Sequence, residues 1–379
     1  MKTALLISLF VLLMSGGATA GIGDPFSGLT PADQAAFDDG KAAFQEEEKP
    51  KDGLGPVFNG TSCAECHFNP AVGGDSTITE TRFGTTDKNK FDALGDLGGS
   101  LIQSQGIGHV SGCKEPFVGE IVPKEATIVT GRKTTPLFGL GLVDAVPDST
   151  FENLTQNGGQ VNQVLDPVSG TRKIGKFGWK AQVSSLFVFS GDAYLNEMGI
   201  TSPFFRNEQC PNGDCAMIAA CNPVLDPEDN GADVQAFTNF MTLLAPVVPR
   251  GSISASVTAG ENVFNRIGCA DCHVSTLTTG PSPIAVLNQQ PFHPYSDFLL
   301  HHMGTLGDGI EQGKAAGDEM RTAPLWGLRF RSRFLHDGRA TTHPAAIEAH
   351  DGAAKAAAQA FQQLTAADRQ ALLDFLGSL

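Results

Sequence analysis

Three features of the sequence predict a mainly α, loop-rich chain with few short strands, built as two related domains in tandem. One motif string occurs twice, helix-start signals recur, and turn-forming residues are abundant. The eleven residues Val57 to His67 match Val263 to His273 at seven positions, and both copies end in Cys-x-x-Cys-His. Further along each half, Thr134-Thr135-Pro136-Leu137-Phe138-Gly139-Leu140 matches Thr322-Ala323-Pro324-Leu325-Trp326-Gly327-Leu328. The order of the two strings is the same in both halves, which argues for two related domains rather than chance hits. The boundary falls near Pro246 to Ser252, where two prolines and a glycine end any helix entering from Phe237 to Leu244. The domains are therefore expected at 21–248 and 249–379.

Helix dominates the local signals. Thr30-Pro31-Ala32-Asp33 combines an N-cap, a proline at the first helical position and an acid in the first turn, opening a helix through about Phe44. Thr365 to Asp368 opens the last helix in the same style, with Leu372, Leu376 and Leu379 on one face. A helix is expected just before each Cys-x-x-Cys-His string. The 44 glycines and 22 prolines supply turns and long loops.

The first twenty residues are set apart. Lys2 precedes an apolar run from Ala4 to Met14, and Ala18-Thr19-Ala20 offers a small-x-small cleavage site. This layout is that of a secretory signal peptide, which places the mature chain in the periplasm or otherwise outside the cytoplasm. No later segment is long and apolar enough to span a bilayer, so no membrane insertion is expected after cleavage. The formal charge of −15 disfavours nucleic acid and anionic lipid as partners and suits a basic docking partner.

Eight cysteines sharpen the picture. Four lie in the two Cys-x-x-Cys-His strings. The other four, Cys113, Cys210, Cys215 and Cys221, are most simply two disulfides in an oxidising compartment. Their pairing stays open, although the close trio at 210, 215 and 221 suggests that one bridge staples a loop. A metal or thiol redox site is the alternative.

Cys-x-x-Cys-His supplies two thiols that add to the vinyl groups of a haem and an adjacent imidazole that binds its iron. Two such strings in like contexts behind a signal peptide point to two covalently bound c-type haems, and so to two cytochrome c-like domains. Haem 1 is held by Cys63 and Cys66 with His67 on the iron, and haem 2 by Cys269 and Cys272 with His273 on the iron. The sixth ligand decides whether an iron is closed for electron transfer or open to a small oxidant. Between His67 and His273 the sole other histidine is His109. It is either the distal ligand of haem 1 or a loop histidine near a turn. The second half holds His293, His301, His302, His336, His343 and His350, with Met303 beside them.

With these residues in view, the chain resembles the di-haem cytochrome c peroxidase superfamily, and within it the di-haem oxidoreductase branch, whose members carry the labels thiol oxidoreductase or peroxidase. The resemblance rests on Gly53-Leu54-Gly55-Pro56 through Gly73-Gly74, Phe177 to Ala181, Glu197-Met198-Gly199-Ile200-Thr201, Pro294 to His301, Arg321 to Gly327 and Leu335-His336-Asp337-Gly338-Arg339-Ala340. It covers nearly all of the mature chain. It implies one closed electron-transfer haem and one haem at which peroxide reacts. At the interval from His336 where the family places the distal ligand of the closed haem stands His350. The family's acid in the peroxide pocket corresponds to Glu197, while Phe189 stands where the family has an upstream glutamine. Trp179 matches a tryptophan found between the two haems, an inter-haem relay. A structural Ca²⁺ between the haems is also implied, with backbone oxygens near Thr322 and Pro324 as its candidates.

The expected function is that of a periplasmic di-haem c-type cytochrome oxidoreductase of peroxidase type. A small electron-donor protein, a cytochrome c or a copper protein, would pass electrons through haem 2 to an oxidant such as hydrogen peroxide at haem 1, on a monomer or homodimer. Two other readings stand beside it: a pure electron carrier with both haems closed, and a di-haem enzyme that oxidises a thiol or a protein side chain.

Overall fold

A computed structural model describes residues 20–88, 90–248 and 254–379. The expected leader lies outside the described residues but for Ala20, and the centre of the expected domain boundary, 249–253, lies outside them too. Eleven α-helices and eleven strands are present among the described residues. The strands are short, as expected, but they are not few. Most span two or three residues, and the longest, Thr79–Asp87, forms a three-stranded antiparallel sheet with Lys90–Asp92 and Ile128–Lys133. None of the described helices is long and apolar enough to cross a membrane.

Five helices frame the two strings: α1 (Pro31–Gln45), α2 (Leu186–Met198), α3 (Ala232–Leu243), α4 (Ala255–Arg266) and α5 (Ala366–Leu376). Their starts follow local chemistry. Thr30 Oγ1 accepts from the Asp33 amide at 3.1 Å and Thr365 Oγ1 from the Asp368 amide at 3.1 Å, which satisfies backbone donors that a helix start leaves orphaned.

Each half is built on a helix crossing. Helix α1 packs on α3, with Phe37 and Phe44 against Phe240 at ring separations of 5.3 and 4.8 Å. Helix α4 packs on α5, with Phe264 against Phe375 at 5.3 Å. Both crossings are made over glycine. A Cβ on Gly40 would stand 2.3 Å from Ala236 O, and one on Gly260 would stand 2.0 Å from Ala371 O. Neither approach admits a side chain, so backbone meets backbone and the flanking phenylalanines interlock.

This geometry corrects one expectation. Val57-Phe58-Asn59 and Val263-Phe264-Asn265 are identical in sequence but not in structure. Val263 and Phe264 lie within α4, whereas Val57–Phe58 is a short strand paired with Gln105–Gly106. No helix stands just before the first Cys-x-x-Cys-His string, since α1 ends at Gln45. The structural counterparts of Gly260 and Phe264 are Gly40 and Phe44, both four residues apart on one helix face. An added segment between Phe44 and Cys63 carries the strand.

The apolar core forms one large cluster and one smaller one. The smaller gathers Val263, Phe264, Leu372 and Phe375 around α4 and α5. The larger is centred on α1, α2 and α3 but also takes in Leu277, Phe292, Phe298 and Trp326 from beyond residue 253. Disulfides join Cys113 to Cys221 and Cys210 to Cys215, so all four cysteines outside the strings are paired, and the second bridge staples a short loop.

Bridging Cys113 to Cys221 closes a loop with a sequence separation of 108, against 5 for the other pair. On the chain-entropy account the long loop contributes more. Replacing Cys113 and Cys221 together by Ala should lower unfolding stability by about 2–4 kcal/mol, and by more than replacing Cys210 and Cys215. Urea denaturation of the two double variants measures this, and the reverse order would refute it.

Candidate functional site

The two Cys-x-x-Cys-His strings adopt the same local design. Each begins at a helical turn, Cys63–Cys66 or Cys269–Asp271, and the histidine amide of each donates to the carbonyl of the first cysteine, at 3.1 Å for His67 and 2.9 Å for His273. Each imidazole is then fixed by its Nδ1. His67 Nδ1 lies 3.0 Å from Gly74 O and His273 Nδ1 lies 2.9 Å from Tyr295 O. A carbonyl partner makes Nδ1 the protonated nitrogen and leaves Nε2 as the ligating one. Burial pushes both histidines down to about 4, so at neutral pH each is the uncharged imidazole that a metal requires. The four string cysteines are unbridged, and burial pushes Cys63, Cys66 and Cys269 up to about 12, in the thiol form. Phenylalanine from each crossing helix contacts the imidazole: Phe44 and His67 rings are 6.0 Å apart, Phe264 and His273 rings 6.2 Å.

Beside the second string lies a cavity of about 510 Å³ lined by Cys269, Cys272, His273, Met303, Trp179 and His350. That volume is in the range of cofactor pockets. Its donor set, two unbridged thiols and a carbonyl-oriented neutral imidazole, fits a haem. His350 stands two residues beyond a short helix, His343–Glu348, that Pro344 helps to start. Its Nδ1 lies 2.8 Å from Ala346 O, which again leaves Nε2 for a metal, and burial pushes its pKa down. His301 lines the same cavity, but its nitrogens are engaged. Nε2 pairs with Asp297 Oδ2 at 2.8 Å, and Nδ1 lies 3.6 Å from Cys272 Sγ. Although burial acts to lower it, the Asp297 carboxylate raises His301 to about 10.

Trp179 forms part of the cavity wall. Its Nε1 donates to Lys133 O at 2.9 Å, and its ring meets His336 edge-on at 6.3 Å. His336 is 2% exposed, and its Nε2 has no hydrogen-bond partner. Lys133, Arg321, Arg331 and Arg333 surround this end of the cavity. The oxygens expected to hold Ca²⁺ are already engaged by donors, two of them guanidinium groups. Thr322 O accepts from Ser296 Oγ at 2.8 Å and from Arg321 at 3.1 Å, and Pro324 O accepts from Arg331 at 3.1 Å. Carbonyls that face guanidinium groups do not suit a divalent cation, so the expected calcium site does not fit here.

The first string has an acidic flank. Glu197, in the last turn of α2, accepts from Asn59 Nδ2 at 2.9 Å, and its backbone oxygen accepts from the Asn59 amide at 2.7 Å. Burial and the neighbouring Glu80 carboxylate push Glu197 up to about 8. The Asn59 bonds tie the carboxyl to the segment that leads into the first string. Arg82 bonds Glu80 at 2.8 Å through Nε and holds Glu80 ionised, while burial raises Asp192 to about 6. Phe189 lies instead in the lining of the cavity beside the second string, with Phe177 at a ring distance of 6.3 Å. His109 is exposed, in a turn closed by a Gly108–Phe117 bridge.

The sequence reading missed the partners of these groups: the Gly74 and Tyr295 carbonyls, and Asn59, Glu80, Arg82 and Asp192 around Glu197. Asn59 left a trace as a residue shared by both repeated strings, and Gly74 and Tyr295 lie within strings that carry the resemblance.

The chain matches the model of the family described as "Di-haem oxidoreductase, putative peroxidase" over residues 118–379. No curated protein is detectably similar. Solved structures with likeness include the diheme peroxidase BthA from Burkholderia thailandensis, 14% identical, with 93% of this chain and 86% of that one covered at a TM-score of 0.45. A MauG-like protein associated with microbial copper homeostasis is 14% identical, with 94% and 92% covered and a TM-score of 0.42. Kuenenia stuttgartiensis hydrazine synthase is 14% identical, with 100% of both chains covered and a TM-score of 0.43.

Because the folded pKa of Glu197 lies above its unfolded value, the folded state holds the extra proton, and stability falls as pH rises from about 4.5 to about 8. Glu197→Gln removes that part of the slope. Relative to wild type, the variant should gain stability between pH 5 and 9, as read by chemical denaturation of the holoprotein. An unchanged difference across that interval would refute the raised pKa.

Proposed function

This chain belongs to the di-haem oxidoreductase family, and from that premise we propose that it is a periplasmic c-type cytochrome that reduces a small peroxide with electrons from a protein donor. Haem 1 is attached at Cys63 and Cys66 and haem 2 at Cys269 and Cys272, with His67 and His273 on the irons. The observation that carries the reading is the repeated geometry of unbridged thiols beside a neutral imidazole whose Nδ1 is tied to a carbonyl. When bound, the haems supply iron that takes up and passes on single electrons.

The chain's own residues divide the work. In the second half His350, on the wall of the same cavity as His273 and with its Nδ1 tied to Ala346 O, would close that centre for electron entry. Trp179, on the cavity wall, lies on the route toward the first half. His109 is exposed, so we read it as a loop histidine and the first centre as open to a small oxidant. Reducing hydrogen peroxide to two waters consumes two electrons and two protons. With its pKa near 8, Glu197 holds a proton at neutral pH. It gives that proton to the departing oxygen as the O–O bond breaks and is recharged from solvent. Asn59 fixes the carboxyl through Oε2. Burial and the adjacent Glu80 carboxylate favour the neutral acid. The donor is a small cytochrome c or copper protein, and the enzyme acts as a monomer or homodimer.

Mass spectrometry of protein matured with haem should show two covalent haem additions. His350→Gly should turn the haem 2 signals from low-spin to high-spin in EPR, while Met303→Ala should not. One addition, or the opposite response of the two variants, would overturn the ligand set.

Glu197→Gln keeps the shape but removes the transferable proton. Peroxide reduction should slow by about 10²–10⁴, with both haems still attached and reducible. Wild-type protein that oxidises no reduced donor when given peroxide, even half-reduced, would sink the peroxidase reading. Unchanged turnover in the variant would retire Glu197 alone.

A further inference from the structure

The chain has two tyrosines, and both stand in one unusual setting. Tyr194 is 3% exposed and donates its phenol to Glu48 Oε1 at 2.9 Å. Tyr295 is 9% exposed and donates its phenol to Glu261 Oε1 at 3.0 Å. Each ring is joined to an iron-binding histidine by packed aromatic rings. Tyr194 meets Phe237 at 5.0 Å, Phe237 meets Phe44 at 6.3 Å, and Phe44 meets His67 at 6.0 Å. Tyr295 meets Phe264 at 6.1 Å, and Phe264 meets His273 at 6.2 Å.

We propose that Tyr194 and Tyr295 are proton-coupled electron donors, one for each haem, that supply oxidising equivalents with electrons when the protein donor is absent. The inference rests on the di-haem reading above. A buried tyrosine needs an acceptor for its hydroxyl, and for packing alone any backbone carbonyl serves. A carboxylate differs because it is a base that can take the proton as the ring loses its electron. Both carboxylates are half-buried, so the proton has a short way to solvent. Continuous packing between ring and imidazole replaces gaps with atoms along the path an electron takes.

The step balances. One electron leaves Tyr194 toward His67, the phenolic O–H bond breaks, and the proton passes to Glu48 Oε1. The same exchange runs from Tyr295 toward His273, with Glu261 as base. The oxidant is hydrogen peroxide, which takes up two electrons and two protons. Two phenols and one peroxide therefore give two phenoxyl radicals and two waters.

The test uses oxidised holoprotein and freeze-quenched EPR after two separate triggers. One is a single equivalent of peroxide without donor, and the other is a photosensitiser flashed with a cobalt(III) ammine quencher. Both should give an organic radical whose hyperfine structure collapses when the protein carries ring-deuterated tyrosine. Tyr194→Phe and Tyr295→Phe should each lose part of the signal, and the double variant all of it. Glu48→Gln and Glu261→Gln, which keep a hydrogen-bond acceptor but remove the base, should lose it as well. Peroxide consumption followed alongside reports on the peroxidase reading separately. A flash-generated tyrosyl signal with no peroxide consumption would keep this proposal and reject that reading. No tyrosyl signal after the flash in protein that carries both haems, or a signal that survives in the double variant, would overturn the proposal.

Discussion

In each half, two helices cross with no side chain between them, and the rest of that half's site depends on it. Gly40 in one crossing and Gly260 in the other each lie against a carbonyl oxygen, that of Ala236 or Ala371, closer than any Cβ could stand. Four residues on, one helical turn further along the same face, Phe44 and Phe264 reach the imidazoles of His67 and His273. A side chain at either glycine would part the helices and withdraw the ring that walls the histidine. The imidazole would then depend on its Nδ1 bond alone for orientation. Close approach of backbones is thus the condition for a rigidly walled imidazole, and it is met in the same way twice.

The two centres differ in their charge surroundings more than in their ligands. Glu80, Asp192 and Glu197 gather beside the first string with Arg82 among them. One cation among three carboxyl groups cannot keep all of them ionised. Glu80 takes the charge through its bond to Arg82, and Glu197, pushed up to about 8, keeps its proton at neutral pH. That is the arrangement required of a centre that must deliver a proton. Around the cavity beside the second string stand Lys133, Arg321, Arg331 and Arg333. Clustered cations stabilise an added electron and carboxylates at the edge of a bound macrocycle. On the proposed reading, proton chemistry belongs to the first half and electron entry to the second.

Local chemistry was legible in the sequence, and distant register was not. The caps at Thr30 and Thr365 could be read because each is made within four residues. The Cys-x-x-Cys-His strings could be read because their spacing is their chemistry. Glu197 and His350 fell beside the expected strings because the family spacing carried long-range information that composition does not. Val57-Phe58-Asn59 misled because identical letters say nothing of the segment inserted before them. The counterpart of Phe264 is Phe44, and the match that shows it, a glycine four residues before a phenylalanine, is too sparse to find without the crossing. The short strands left no alternation to read, since most pair only two or three residues. The pairing of Cys113 with Cys221 needed the fold. So did the bonding of the Thr322 and Pro324 carbonyls by Arg321 and Arg331, which makes them poor ligands for the calcium expected there.

A buried ion network ties the two halves of the chain together. Asp308 receives Arg132 Nε at 2.7 Å and Lys180 Nζ at 2.9 Å, and all three side chains are essentially without solvent. Desolvating three charges costs more than their attraction is sure to return, so such a cluster is weak evidence for stability. What it does supply is position. Arg132 lies in the last strand of the three-stranded sheet, directly before Lys133 on the cavity wall. Lys180 follows Trp179 directly, and its ammonium also bonds the carbonyls of Ala316, Gly317 and Glu319. The loop of the second half that carries Asp308 is thereby clamped to the segments of the first half that carry Lys133 and Trp179. Electron transfer falls off steeply with distance, and apolar packing alone would tolerate sliding at this junction. A charge cluster that cannot be half-satisfied would not, because any slip strands a buried cation. The cost of burial is offset by a separation between the two centres that stays fixed.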